Sequence, residues 1–104
     1  MITSWITLDS CGVDAPGLEF VTRSLHRLLK PAELVDDSVR ATFSASEFWQ
    51  PSLAPGDALL FAGDILHRTH VSSSMTSDRT SLELRFFPDR IPERLKDHRF
   101  VRLW

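Results

Sequence analysis

His67 and Arg79 are the side chains whose types and surroundings best suit chemistry. His67 opens the run His67-Arg68-Thr69-His70, and Arg79 opens Arg79-Thr80-Ser81. An imidazole is the commonest side-chain metal ligand. A guanidinium presents a planar fork of donors that matches a carboxylate. On an extended chain alternate residues share a face. His67 therefore goes with Thr69, and Arg79 with Ser81, Glu83 and Arg85, while His70 faces away from His67 and should not chelate the same metal. Two neighbouring antiparallel strands would bring an inward His67 close to an inward Arg79. A metal ligand beside a carboxylate clamp is the arrangement needed for an iron site that also holds an organic diacid. The bland alternatives are a histidine bonded to a carbonyl and a solvated arginine pairing with Asp78.

The elements that must position these residues are read from pattern. Pro55-Gly56-Asp57 is a turn signal. Ala58 to Ala62 is a short apolar run that reads as a buried strand. Ile65 to Val71 is extended, Val71 to Asp78 is polar and loop-like, and Thr80 to Phe87 alternates as a strand. Earlier in the chain, Ser4 to Leu8 alternates Trp5 and Thr7 against Ile6 and Leu8, Asp9 to Gly17 is a turn-rich connection, and Leu18 to Val21 is a short strand. Arg23 to Lys30 allows at most one helical turn through Leu25, Leu28 and Leu29. Pro31 to Asp37 is a polar connection, Val39 to Ser44 reads as a strand, and Phe48 and Trp49 are expected against the barrel wall. Pro92 suits the first turn of a short C-terminal helix, and Phe100, Val101, Leu103 and Trp104 are apolar enough to dock.

These pieces, taken together, resemble the C-terminal half of the phytanoyl-CoA dioxygenase family over roughly residues 3 to 88. The resemblance rests on Pro55-Gly-Asp-Ala-Leu-Leu-Phe-Ala-Gly-Asp-Ile-Leu-His67-Arg-Thr69, on Arg79-x-Ser81, on Ser4-Trp5-Ile6-Thr7-Leu8-Asp9, and on Ala15-Pro-Gly-Leu-Glu-Phe-Val21. It implies an Fe(II)- and 2-oxoglutarate-dependent oxygenase on a double-stranded β-helix, or jelly roll. His67 would be the distal iron ligand, Arg79 and Ser81 would hold 2-oxoglutarate, and Trp5 and Thr69 would line its pocket. Trp5 and Thr69 could equally be ordinary barrel filling. Thr22-Arg23-Ser24-Leu25-His26 is a degraded match to the family's Pro-Gly-Ser-His, so His26 is expected at the surface or near the site rather than on the metal. Arg85 is expected in a salt bridge. The departure is the first iron motif, His-x-Asp, which occurs nowhere in the sequence. Asp97-His98 has the wrong order. The family's metal needs two histidines and a carboxylate, so the isolated chain is expected to be inactive unless another chain supplies the missing half.

Composition bounds the rest. The chain has 104 residues and a net charge of -2, enough for one small domain with no basic patch for nucleic acid. Cys11 is the only cysteine, which suits a reducing cytosol. Met1-Ile-Thr-Ser-Trp5 has neither a basic n-region nor a long apolar core, so no signal peptide or membrane contact is expected, and a cytoplasmic location is. Cys11 has no placed base, Ser73, His67 and Asp64 lack a nucleophile elbow, and no Cys/His cluster has zinc spacing. The expected fold is all-β: a partial jelly roll, cupin-like, over residues 1–90, with a tail over 91–104. Five or six strands fall short of the roughly eight of a jelly roll, and unpaired edges would invite self-association. The enzyme reading takes a small organic substrate. The alternative is a non-catalytic barrel remnant serving as a small binding or dimerisation module.

Overall fold

The computed structural model describes residues 1–88 together with Arg90, Ile91 and Glu93. The predicted C-terminal helix, and the tail residues from Phe100 to Trp104, lie outside the described residues. Strands β1 (Ile2–Thr7), β2 (Gly17–Val21), β3 (Phe48–Trp49), β4 (Ala58–Ala62), β5 (His67–His70) and β6 (Ser81–Phe86) are accompanied by one α-helix, α1 (Asp36–Thr42). The strands form two three-stranded antiparallel sheets, ordered β4-β1-β6 and β3-β2-β5. No helix among the described residues is long and apolar enough to cross a membrane.

The sheets face each other across a small core. Trp5, Leu59 and Phe61 of the first sheet pack with Leu18 and Phe20 of the second, and Cys11, Ala15, Leu53 and Ile65 close one side. Phe20 meets Phe61 edge to face at 5.1 Å between ring centroids, a favoured aromatic geometry. The turn-rich connection after β1 is tied down by a backbone bridge between Cys11 and Leu53. Gly12 makes this approach feasible: its φ is +99°, and a Cβ there would sit 2.4 Å from the Pro51 carbonyl oxygen.

Several expectations need correction. Val39 to Ser44 is not a strand, since Asp36–Thr42 is helical. Asp36 and Asp37 in the first turn complement the helix dipole, Arg40 pairs with Asp36 one turn back, and Arg68 of β5 holds Asp36 from outside at 2.6 Å. Arg23 to Lys30 forms no helical turn. Arg23 is drawn to Glu47 and the Thr42 carbonyl, and His26 takes a left-handed φ of 55° that interrupts any helix. The polar connection begins with a 3-10 turn, Pro31–Glu33. Ala58 to Ala62 is a strand but not a buried one: β4 is an edge strand, and Leu60 is 72 % exposed.

Candidate functional site

Register decides which side chains meet. Along β2 and β5, Phe20 pairs with His67 and Leu18 with Thr69, while Glu19 pairs with Arg68 on the opposite face. His67 and Thr69 thus share the inner face with core residues. Along β1 and β6, Thr7 pairs with Ser81 and Trp5 with Glu83, and Arg79 lies two residues before Ser81 in the same phase. The strands bearing His67 and Arg79 are not neighbours in one sheet, contrary to expectation. They belong to opposing sheets, because β5 pairs with β2 and β6 with β1.

Between the two inner faces lies a cavity of about 320 Å3. It brings together Trp5, His67, Thr69, Arg79 and Ser81, with Leu18, Arg68 and Glu83 completing the wall. The Arg79 guanidinium carbon stands 4.8 Å from the centre of the Trp5 ring, a cation–π arrangement. Its Nε and Nη1 are buried and have no hydrogen-bond partner. Among the described residues Arg79 has no ion pair with Asp78 or any other acid. Buried polar groups are nearly always partnered, so a half-buried guanidinium with two buried, idle donor nitrogens is the outstanding chemical feature beside the cavity.

His67 is held by aromatic neighbours. Its ring stacks on Phe20 at 5.8 Å and meets Phe61 edge-on at 4.7 Å. Nδ1 lies 3.0 Å from the Ile65 carbonyl oxygen. A carbonyl only accepts, so Nδ1 carries a hydrogen, which in the neutral ring leaves the lone pair on Nε2, the tautomer a metal-ligating or accepting imidazole requires. Among the described residues His67 is the only imidazole lining the cavity and Glu83 the only carboxylate. Glu83 is already paired with Arg85 at 2.5 Å. No group of three metal-ligating side chains comes together among the described residues, so the described part of the chain does not supply a complete iron site. His70 pairs with Gly17, three positions from His67 along β5 and on the opposite face. His26 is exposed, its N–H donating to Ser24 Oγ, which in turn donates to Asp64.

The residues that sequence reasoning passed over lie on the other face of β2. Glu19 is 5 % exposed and accepts hydrogen bonds from Gln50 and from Arg68 Nε. Burial pushes its carboxyl up, but these bonds, with the Arg68 charge, outweigh burial and hold it below the ordinary range. Arg68 bridges onward to Asp36, fastening α1 to the sheet directly behind the cavity. Its own ionisation is pushed up by the Glu19 hydrogen bond, which outweighs the opposing effect of burial. The signal was available: a glutamate at the centre of Gly-Leu-Glu-Phe-Val demands a partner if that strand is buried on both faces.

Comparison with family models, curated proteins and solved structures gave no significant match for this chain.

Proposed function

We propose that the chain is part of a phytanoyl-CoA-dioxygenase-like, Fe(II)- and 2-oxoglutarate-dependent oxygenase, contributing the wall that holds the co-substrate. The two sheets are then the two sides of a partial double-stranded β-helix. The observation that carries this reading is Arg79, which lines a cavity shared with two hydroxyl residues and whose buried Nε and Nη1 have no hydrogen-bond partner. A carboxylate offers the acceptors such a fork lacks. In this reading the distal carboxylate of 2-oxoglutarate sits on Arg79, Ser81 and Thr69 donate to it, and Trp5 forms the floor. His67, with Nε2 free, would be one ligand of ferrous iron. The other two ligands are not among the described residues, so no oxidative step is derived for this chain alone. The substrate would be a small organic molecule and the compartment the cytoplasm.

The alternative, a non-catalytic barrel remnant that binds a carboxylate or pairs with another chain, is favoured by one observation: among the described residues the cavity offers a single imidazole and a carboxylate already engaged by Arg85. Both readings share the anion pocket and differ on iron. Titration calorimetry with 2-oxoglutarate tests the shared part. Arg79→Gln should weaken binding roughly 100-fold, the worth of two charge-assisted hydrogen bonds. A wild-type protein that does not bind 2-oxoglutarate would retire the oxygenase reading and leave the alternative only as a module that pairs with another chain. Anaerobic addition of Fe(II) separates them. A visible charge-transfer band on the 2-oxoglutarate complex supports the oxygenase, provided the partner half is present, and should be missing for this chain alone.

A further inference from the structure

The β4-β1-β6 sheet ends on β6, and among the described residues no strand pairs with the far edge of β6. It is the longest of the edge strands, with six residues against five in β4 and four in β5. Backbone phase fixes which residues serve that edge. Leu8 N donates to the Thr80 carbonyl at 2.9 Å, one step beyond the Thr7–Ser81 pair. Hydrogen-bonded and non-hydrogen-bonded pairs alternate along an antiparallel ladder, so Leu82, Leu84 and Phe86 bond to β1. Ser81, Glu83 and Arg85 therefore turn their backbone N–H and C=O groups towards the open edge. Such an edge is a template for another strand.

Charge decides which strand. Glu83 and Arg85 share a face, are both exposed, and contact each other at 2.5 Å. Charges on an edge ordinarily guard it against pairing. Here they are opposite in sign and two residues apart, so a second, antiparallel copy of β6 can satisfy both. Two registers keep the idle backbone groups in phase while overlapping five of the six residues of β6. One sets Glu83 against Glu83 of the second copy, a destabilising like-charge pair. The other sets Glu83 against Arg85 and Arg85 against Glu83, a favourable pair on each side of the axis. It also sets Leu84 against Leu84 and Leu82 against Phe86, and all three of these side chains are exposed in the single chain. The other edges carry no such selection: β4 has no charged residue, and Arg68 of β5 is already held by Glu19 and Asp36.

We propose that two copies of this chain pair through β6, antiparallel about a two-fold axis at Leu84, and join their sheets into one of six strands. The contact is the same patch on both copies, as a two-fold interface requires. A five-residue edge is about 17 Å long, so the area stays well under the roughly 800 Å2 per partner of a tight pair. Main-chain hydrogen bonds and the four charges carry the association, and the dimer dissociates on dilution. Glu83 also lines the cavity, so Arg85 of the second copy comes to rest beside that wall. The inference concerns the strand edge and stands without the oxygenase reading.

The test uses the full chain. Sedimentation velocity should show monomer passing to dimer between about 5 and 500 µM, the range of a weak contact. Leu84 faces its copy in a non-hydrogen-bonded pair, where Cα atoms come within about 4.5 Å, close enough for a disulfide. Mild oxidation of Leu84→Cys should give a covalent dimer. Leu60→Cys, on β4 and more exposed, should not, and the wild type is the blank because Cys11 is buried. Glu83→Arg and Arg85→Glu, made singly, set like charges across the axis and should weaken association about tenfold or more. The double exchange should restore it, with circular dichroism matching the wild type throughout. Should a charge variant fail to fold, the cysteine pair still decides. A wild type that stays monomeric, even cross-linking of the two cysteines, or a dimer indifferent to the charge exchanges each overturns the proposal.

Discussion

Replacing Arg79 with methionine should make the ligand-free protein more stable and the ligand-bound protein less so. The guanidinium is buried at Nε and Nη1, and their three hydrogens have no acceptor among the described residues. Each unsatisfied buried donor costs about 1–3 kcal/mol. The Trp5 ring beneath it returns about 1 kcal/mol, and the part of the side chain that reaches solvent lowers the cost further. The net penalty in the absence of ligand is then about 1–3 kcal/mol. A methionine fills similar space, keeps contact with Trp5 and removes both donors, so its melting temperature should rise by roughly 5–15 °C for a domain of this size. A ligand that binds only the folded state adds about 2.7 kcal/mol at one hundred times its dissociation constant. Saturating 2-oxoglutarate should therefore lift the wild type to or above the variant while leaving the variant unmoved. Thermal and urea denaturation followed by tryptophan fluorescence, each with and without 2-oxoglutarate, reads both halves. If Arg79→Met lowers stability without ligand, the guanidinium has a partner in solution and the reasoning is refuted. Equal stabilisation of both proteins by 2-oxoglutarate refutes the location of the site.

The remaining expectations can be checked on the same protein. Thr69→Val and Ser81→Ala should each weaken carboxylate binding by about 10–100-fold, the worth of one hydrogen bond to a charged group, with calorimetry as the readout and little change in the urea midpoint. Gly12→Ala should cost about 1–3 kcal/mol in urea unfolding, because it forces a side chain into positive φ and into the Pro51 carbonyl. Glu19→Gln should cost roughly 1–3 kcal/mol at neutral pH, less than a fully buried pair because Arg68 is about half exposed. Because the folded Glu19 carboxyl is held below its ordinary value of 4.5, its contribution is present above that pH and is lost as pH falls through the lowered value. Glu33, held down to about 2 chiefly by its Arg27 hydrogen bond, and Glu47, held below the usual carboxylate range chiefly by its Arg23 hydrogen bond, act in the same sense. The diagnostic is therefore the difference: urea stability of Glu19→Gln should fall less steeply on acidification than that of the wild type. Parallel slopes would show that Glu19 is not held down.

Much of the fold was legible because strand periodicity is a local property. The alternation in Ser4 to Leu8, Leu18 to Val21, Ile65 to Val71 and Thr80 to Phe87 correctly located four strands and their side-chain phases. Alternation says which residues share a face, not which face is buried. In β1 the Thr3, Trp5 and Thr7 side is buried, and on the other side only Ile2 is open, with Ile6 half-buried and Ser4 covered. The apolar run Ala58 to Ala62 looked buried for the same reason, and is an edge strand with an open outer face. The helix at Asp36–Thr42 was missed because Val39-Arg-Ala-Thr-Phe has strand-forming residues, and what tips it into a helix includes Arg68, 32 positions away in sequence. Glu19 was missed because its partner lies 49 positions off.

The sequence by itself determined the phases: His67 with Thr69, Arg79 with Ser81, His70 turned away, all set by the two-residue repeat of an extended backbone. Only the tertiary structure decided that these two pairs face each other from separate sheets, and that Arg79 lies over Trp5 with its buried Nε and Nη1 unpartnered. Sheet membership depends on which distant segments exchange backbone hydrogen bonds, and burial depends on what lies across the core. Both are long-range outcomes that no local pattern encodes.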